Sequence, residues 1–280
     1  MYFELRGTPE SSRESYLRRI AAFAKYMQEQ CVNIGDINIH DIQKYLLHLK
    51  KERALSPGTI NNHRSAIKFF YTGILKQEWD DVSIPRMKTS RTFPVVPTRQ
   101  KVRLIIDSVA NLKHKAMLSL LYGSGLRVSE VASLRIRDIN SENMTVRVEN
   151  AKHDTNRYTI LSVETLDTLR KYFVAYLSGK GSKPDDWLFR GNKPAHHINV
   201  KTIKNTLIKL RIKLQLDDRI TAHTLRHCFA THLMEDGVAI GIIMELLGHK
   251  SIKTTMTYLH LTSKSLMGIK SPLDTHDHTP

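Results

Sequence analysis

A forty-residue stretch near the C-terminus, residues 221–260, holds side chains suited to act on a phosphate. His223 and Arg226 stand three positions apart, which places them on neighbouring surface if the segment is helical. His249 follows in a Leu-Gly-His sequence, and Tyr258 comes nine residues after it. Arginine can bind two phosphate oxygens, and a tyrosine hydroxyl can attack phosphorus. Each residue alone also fits a helix cap, a surface group or a half-buried anchor. The prediction of a phosphate site therefore rests on the combination of all four residues.

Two helices are expected to position these side chains. The spacing of apolar residues predicts a helix over residues 224–235, which ends at Asp236-Gly237 because glycine tolerates the left-handed cap. A second, shorter helix is predicted over residues 239–247 and is closed by Gly248. The inward face of the first helix consists of Leu225, Phe229, Ala230 and Leu233.

The pattern His-x-x-Arg-His, then Leu-Gly-His, then a tyrosine nine residues on, resembles the C-terminal signature of the tyrosine recombinases, also called the phage-integrase family. Upstream, the string GSGLRVSE at residues 123–130 resembles the first conserved box of that family. By this resemblance Arg127 is a phosphate-binding catalytic arginine at a helix start, where the dipole also favours an anion. Glu130 would be its buried structural partner, although it also fits a helix-surface acid.

A hairpin is predicted between these two motifs. Residues 144–148 alternate apolar and polar side chains, which is typical of a half-buried strand, and residues 157–161 could pair with them. The loop between them is rich in turn formers. In the family a lysine sits on such a loop, and Lys152 is the match. Members often have a glycine beside that lysine, whereas Ala151 and His153 flank it here, so an exposed loop lysine is the alternative.

These residues fit strand cleavage by covalent transfer. A nucleophile, a set of fixed positive charges and a proton donor are needed. Tyr258 would be the nucleophile, Arg127 and Arg226 would hold the non-bridging oxygens, and His249 would add a hydrogen bond. Lys152 would protonate the departing 5′ oxygen and His223 would act as base. The candidate catalytic residues are therefore Arg127, Lys152, His223, Arg226, His249 and Tyr258.

No cofactor or metal site is predicted. The sequence has no clustered Asp and Glu set for two-metal hydrolysis, no phosphate-binding glycine loop for ATP, and no histidine pair with zinc spacing. Its two cysteines, Cys31 and Cys228, lie far apart and imply no disulfide framework. The N-terminus has no apolar signal segment, and no run of eighteen apolar residues occurs, so we expect a soluble cytoplasmic protein without membrane contact.

The charge of the chain indicates a polyanionic partner. The formal net charge is +16 over 280 residues. Residues 1–91 carry 15 Lys and Arg against 10 Asp and Glu, and residues 92–280 carry 28 against 17. The excess of positive charge is thus spread over both halves of the chain. This distribution fits a protein that contacts a DNA duplex from two sides. A basic protein that is merely soluble, or a helical bundle that binds protein, is the alternative.

The first ninety residues read as a helical bundle. Helix starts are predicted at Thr8-Pro9, at Asn38 and at Ser56-Pro57, each with a capping side chain. Residues 56–74 also resemble the last helices of the core-binding domain of Xer-type and phage integrases. Residues 83–97 contain three prolines and predict an extended linker, and we place the domain boundary near Arg91.

The second domain, residues 92–280, is expected to be α+β. Helices are predicted from Thr98 to about Ala110, over residues 113–122, over residues 163–177 and over residues 200–214, and a short apolar strand at Trp187-Leu-Phe. The fold class is therefore mainly α with a small antiparallel sheet, in a two-domain clamp. The lysines and arginines of residues 200–214 favour a phosphate-facing helix, and a solvated basic face is the alternative.

The resemblance implies a site-specific recombinase that forms a 3′-phosphotyrosine, exchanges strands through a Holliday junction and works as a homotetramer on double-stranded DNA. The tail after Tyr258 would pack onto a neighbouring subunit, or else fold back on its own domain. The chain begins almost directly with the helical domain, which favours a Xer-like or mobile-element enzyme without an arm-binding domain. A type IB topoisomerase and a catalytically inactive DNA-binding regulator are the alternative functions.

Overall fold

The computed structural model describes residues 7–8, 10–89, 95–149, 156–179, 181–192, 196–249, 251 and 255–256. The chain divides into two compact units, Met1–Thr92 and Phe93–Pro280. Within the described residues the structure is mostly helical, with one three-stranded antiparallel sheet. The expected fold class, mainly α with a small antiparallel sheet, is confirmed. None of the helices described there is long and apolar enough to cross a membrane.

The first unit contains the helices α1 (Glu10–Glu29), α2 (Ile39–Lys51) and α3 (Pro57–Gly73), with a short 3-10 turn at Ile34–Asp36. Two of the three predicted caps are present: Asn38 forms a capping box with Asp41, and Ser56 accepts from the backbone N–H of Thr59 ahead of a proline in the first turn. The third predicted start, Thr8-Pro9, includes a residue outside the described ranges. The largest fully buried side chains of this unit are Phe23, Met27, Ile42, Tyr45, Ile60, Ile67 and Ile84.

The start of the predicted linker is packed against this bundle. Ile84 is buried, and its carbonyl accepts a 2.7 Å hydrogen bond from the Nε–H of Arg64. The Asn61 side chain bonds both the N–H and the carbonyl of Met87, each at 2.9 Å. Residues 83–87 therefore belong to the bundle, because one buried isoleucine and two side chains of α3 fix their backbone.

Besides a 3-10 turn at Ile136–Asp138, the second unit contains seven α-helices whose two ends lie within the described residues. They are α4 (Arg99–Asp107), α5 (Leu112–Gly123), α6 (Val128–Ala132), α7 (Val163–Tyr176), α8 (Val200–Lys213), α9 (Ala222–Glu235) and α10 (Ile240–Leu247). The predicted helices are present, although α4 ends three residues earlier than expected. Gly237 and Gly248 both have positive φ, as their predicted roles as helix stops require.

The sheet has the order β1 (Ile139–Asn140), β2 (Thr145–Val148) and β3 (Arg157–Ile160). The predicted hairpin is confirmed, with Val148 opposite Arg157 at its loop end. The prediction of a strand at Trp187-Leu-Phe is wrong, because Trp187 makes only an isolated bridge to Arg135. Leu188 and Phe189 are buried in the core, so the apolar run reflects burial rather than membership of a sheet.

Candidate active site

Arg226 lies at the centre of the candidate site. It is in the first turns of α9 and is only 4% exposed. Its Nη1 donates to the Gly125 carbonyl at 2.6 Å, and its Nη2 donates to the Leu247 carbonyl at 2.6 Å. The same Nη2 lies 3.2 Å from Nε2 of His249. One guanidinium thus joins the glycine loop after α5 to the end of α10.

The glycine loop is shaped by close packing onto α9. Gly125 has φ of +62°, and a Cβ at this position would lie 2.4 Å from Cδ1 of Phe229. No other residue type fits both conditions. The tight turn places Arg127 directly before α6, with 36% of its side chain exposed. Arg127 is therefore anchored by its backbone while part of its side chain remains accessible.

Glu130 is the carboxylate that these arginines share. Its Oε1 accepts from Nη1 of Arg127 at 2.7 Å, and its Oε2 accepts from the backbone N–H of Arg127 at 2.7 Å. Arg157 adds a two-pronged contact, with Nη1 and Nη2 at 2.9 and 2.8 Å from the two oxygens. Arg226 Nη1 lies 3.6 Å from Oε2. Glu130 is therefore the expected structural partner of Arg127, with 11% of its side chain exposed, and not a helix-surface acid.

The pKa of Glu130 reflects this arrangement. Burial alone would raise the pKa, but the hydrogen bonds and charge of Arg157, together with the bonds from Arg127, outweigh it and lower the pKa to about 2. Glu130 is therefore ionised at neutral pH, and its negative charge permits three guanidinium groups to lie side by side.

Replacing Glu130 with glutamine is expected to destabilise the protein by about 3 kcal/mol, because three neighbouring guanidinium groups, including the buried one of Arg226, lose their shared counter-charge. Urea unfolding followed by circular dichroism measures the difference. The matched control is Glu164→Gln, which breaks the exposed pair with Arg103 and should cost less than about 1 kcal/mol. Equal losses for the two variants would contradict the structural role assigned to Glu130.

His249 lies at the end of this network. Its Nε2 faces Arg226, and its Nδ1 lies 2.9 Å from the hydroxyl of the buried Thr255. Because Arg226 can only donate, Nε2 accepts and the proton lies on Nδ1. Burial, and then the charges of Arg226, Arg127, Arg157 and His227, lower the pKa of His249 to about 4. The ring is therefore neutral at pH 7.

This lowered pKa predicts a loss of stability in mild acid. Between pH 7 and pH 5 the unfolded chain protonates His249, whose ordinary pKa is 6.5, whereas the folded chain does not. The unfolded state then binds more protons, so the free energy of unfolding falls with pH. After allowance for partial exposure of the ring, we expect about 1 kcal/mol from this residue. Urea unfolding at both pH values should show a drop that is smaller by this amount in His249→Gln.

The control for this measurement is His40→Gln, a change of an exposed histidine at the start of α2. It should retain the full wild-type dependence on pH. An equal drop in wild type and His249→Gln would contradict the assignment of this pH dependence to His249.

His223 lies one residue after the start of α9 and is exposed. Partial desolvation, and then the positive charges of Arg226, Lys204 and Arg127, lower its pKa. His227, one turn further along the helix, is half-buried, and its pKa is lowered by burial and then by His223 and Arg226. Both histidines are therefore biased towards the neutral form beside the arginines.

The structure thus brings Arg127, Arg226 and His249 into one network, with His223 on the adjoining turn. The other two candidates, Lys152 and Tyr258, lie outside the described residues, as does the tail that follows Tyr258. Sequence reasoning missed Arg157. Its position at the start of a predicted strand carried no signal for a contact with Glu130, which precedes it by 27 residues. In the described part of the chain, no three His, Cys, Asp or Glu residues are grouped to hold a metal ion.

Comparison with known proteins places these features in a family. Residues 97–265 match the Phage integrase family, and residues 1–81 match the Phage integrase, N-terminal SAM-like domain. The chain is 32% identical over 272 residues to a putative integrase/recombinase, y4qK, of Sinorhizobium fredii, with 97% of this chain and 85% of the relative covered. It is 31% identical over 266 residues to the tyrosine recombinase XerA of Pyrococcus horikoshii, with coverage of 95% and 88%.

Solved structures agree with this assignment. A crystal structure of XerA recombinase has a TM-score of 0.57 at 25% identity and covers 95% of this chain and 92% of that chain. The fold is also shared with XerH site-specific recombinase bound to palindromic difH substrate, with a TM-score of 0.74, 19% identity and coverage of 92% and 79%. The chain therefore belongs to the phage integrase family and is a Xer-like tyrosine recombinase, an enzyme of site-specific DNA recombination.

Proposed function

We propose that this recombinase cuts and rejoins double-stranded DNA through a covalent 3′-phosphotyrosine on Tyr258 and a Holliday junction, without a metal ion or ATP. The observation that carries the proposal is the network in which Arg127 and Arg226 lie around the part-buried carboxylate of Glu130 with His249 beside them. Such a cluster suits a single phosphodiester group, because it concentrates fixed positive charge at one point.

The two arginines stabilise the transition state of the proposed reaction. As Tyr258 attacks, phosphorus becomes pentavalent and its non-bridging oxygens gain negative charge. Guanidinium groups match two such oxygens and remain charged at all relevant pH values. Arg226 is already held by the carbonyls of Gly125 and Leu247, so little reorganisation is needed when the phosphate binds. Preorganised donors of this kind usually supply the largest catalytic contribution.

The proposed reaction includes two proton transfers, one from Tyr258 to His223 and one from Lys152 to the DNA. The bond between the Tyr258 oxygen and phosphorus forms while the bond from phosphorus to the 5′ oxygen breaks. His223 takes the phenolic proton, and Lys152 gives a proton to the departing 5′ oxygen, which leaves as a free hydroxyl. The lowered pKa of His223 keeps it in the neutral, proton-accepting form at pH 7. Attack by a 5′-hydroxyl of the partner duplex then reverses these steps and exchanges the strands.

His249 can donate to the phosphate once the DNA is bound. The Thr255 hydroxyl can either accept a hydrogen bond from Nδ1 or donate one to it, and the distance of 2.9 Å allows both. When the phosphate replaces Arg226 as the partner of Nε2, Thr255 donates to Nδ1 and the proton of the ring lies on Nε2. His249 then supplies a hydrogen bond to a non-bridging oxygen without becoming charged.

The two domains have different roles in this proposal, one in DNA binding and one in catalysis. Residues 1–91 bind the duplex, and residues 92–280 bind the reacting phosphate. Both segments contain more Lys and Arg than Asp and Glu. XerH is described as bound to its difH substrate and lambda integrase as a dimer bound to a core site, which supports a DNA site as partner here. Exchange of four strands between two sites requires four active sites, so a homotetramer joined through the C-terminal tail is the assembly we propose.

Trapping of the covalent intermediate tests the proposal. The protein is incubated with sheared DNA, denatured with detergent, and the DNA that remains attached is sequenced. A nicked duplex of the recovered sequence should then give a protein–DNA adduct whose freed end is a 5′-hydroxyl that polynucleotide kinase labels directly. Absence of any adduct would refute covalent transfer. Efficient relaxation of supercoiled DNA that lacks the recovered sequence would instead indicate a topoisomerase.

A further inference from the structure

We propose that Arg157 is a positioning residue that fixes the hairpin carrying Lys152 relative to the arginine–histidine network. This inference rests on the strand-cleavage function proposed above. Arg157 is the first residue of β3 and stands five residues after Lys152 in the chain. It pairs with Val148, the last residue of β2, so it forms the base of the loop between the two strands.

The Arg157 side chain contacts two helices that directly adjoin other candidate catalytic residues. Its guanidinium binds both oxygens of Glu130 in α6, the helix that begins directly after Arg127. Its Nε donates to the Leu246 carbonyl at 3.0 Å, near the end of α10 and three residues before His249. The side chain is only 10% exposed. One residue therefore links the base of the hairpin to the positions of Arg127 and His249.

The turn before His249 is built around this side chain. Gly248 has φ of +62°, and a Cβ there would lie 2.7 Å from Cδ and 3.0 Å from Nε of Arg157. Glycine is thus required twice, for its backbone conformation and for the space that Arg157 occupies. The close approach leaves little room for the end of α10 to move while Arg157 is bound to Glu130.

The geometry of the contact explains why arginine is needed. A planar guanidinium binds both carboxylate oxygens and still has Nε for a carbonyl in the same plane, whereas a lysine ammonium offers one nitrogen. Without Arg157, the hairpin base loses its three polar contacts with α6 and α10. We expect Lys152 to lose its alignment with the departing 5′ oxygen, while Arg127 and Arg226 still share Glu130.

Substrates with a sulfur leaving group test this assignment. When the bridging 5′ oxygen at the cleavage site is replaced with sulfur, the leaving group is a thiolate, which needs no proton because thiols are far more acidic than alcohols. General acid catalysis is worth about 10²- to 10⁴-fold. Arg157→Met should therefore slow adduct formation on the oxygen substrate about a hundredfold or more, and on the sulfur substrate less than about tenfold.

Two further variants complete the experiment. Arg157→Lys keeps a charge beside Glu130 and protects the fold, yet it loses the two-pronged contact, so it should show the same preference for sulfur. Arg147→Met is the matched control on β2, where the side chain pairs with Asp138 and Glu149 instead. It should slow neither substrate, and Lys152→Ala should reproduce the sulfur preference of the Arg157 variants.

Equal slowing of the two substrates by Arg157→Lys, or no slowing of either, would overturn the inference. A Lys152→Ala variant without a preference for sulfur would also overturn it, because the hairpin would then deliver no proton. Failure of the proposed function gives a different result, since the wild-type protein would then form no adduct with either substrate. Adduct formation by the wild type together with equal slowing in the Arg157 variants would refute only the positioning role.

Discussion

Replacing Tyr258 with phenylalanine is expected to abolish the covalent protein–DNA adduct completely while DNA binding is retained. The change removes a single hydroxyl oxygen, which is the atom that forms the bond to phosphorus in the proposed reaction. Under the proposed function, DNA binding rests on many phosphate contacts made by the basic residues of both domains, so the loss of one hydroxyl should change the dissociation constant less than about threefold. Denaturing gels with the nicked duplex measure the adduct, and fluorescence anisotropy measures binding.

The matched control is Tyr176→Phe, which removes a hydroxyl at the end of α7 and keeps the contact of that ring with the ring of Tyr172. It should form adduct at the wild-type rate. Adduct formation by Tyr258→Phe would show that another residue is the nucleophile. Peptide mapping of the wild-type adduct after nuclease digestion would then identify that residue.

Local signals allowed much of the candidate site to be predicted from sequence. The glycine loop places Arg127 at a helix start, and the left-handed glycines at 237 and 248 end the helices that carry Arg226 and precede His249. Each of these features depends on residues within one or two turns of the chain, so the sequence pattern and the backbone conformation coincide. The same reasoning located the caps at Asn38 and Ser56.

Features that depend on distant contacts could not be predicted in this way. The bonds of Arg157 to Glu130 and Leu246 span 27 and 89 residues, and nothing in the strand pattern around Arg157 distinguishes it from a solvated arginine. The prediction of a strand at residues 187–189 is wrong because this apolar run packs into the core and forms only an isolated bridge. The packing of Ile84 against the first unit was missed because three prolines dominate the local pattern.

Replacing Arg226 with lysine is expected to slow adduct formation by a hundredfold or more, even though the positive charge is kept. The guanidinium spans the carbonyls of Gly125 and Leu247 and reaches His249 from the same plane. A lysine ammonium can bond one of these carbonyls but cannot hold both and also face a phosphate. We also expect a loss of about 1–3 kcal/mol in the free energy of unfolding, because a buried carbonyl is left without its donor.

The two effects can be separated by experiment. Single-turnover adduct formation is measured at saturating protein and at a temperature where urea titration shows the variant to be folded. Arg219→Lys is the control, since Arg219 lies just before α9, is exposed and pairs with Asp217. It should alter neither rate nor stability. A folded Arg226→Lys variant that forms adduct within about threefold of the wild-type rate would show that charge alone suffices. The fixed planar geometry around Arg226 would then not be the source of transition-state stabilisation.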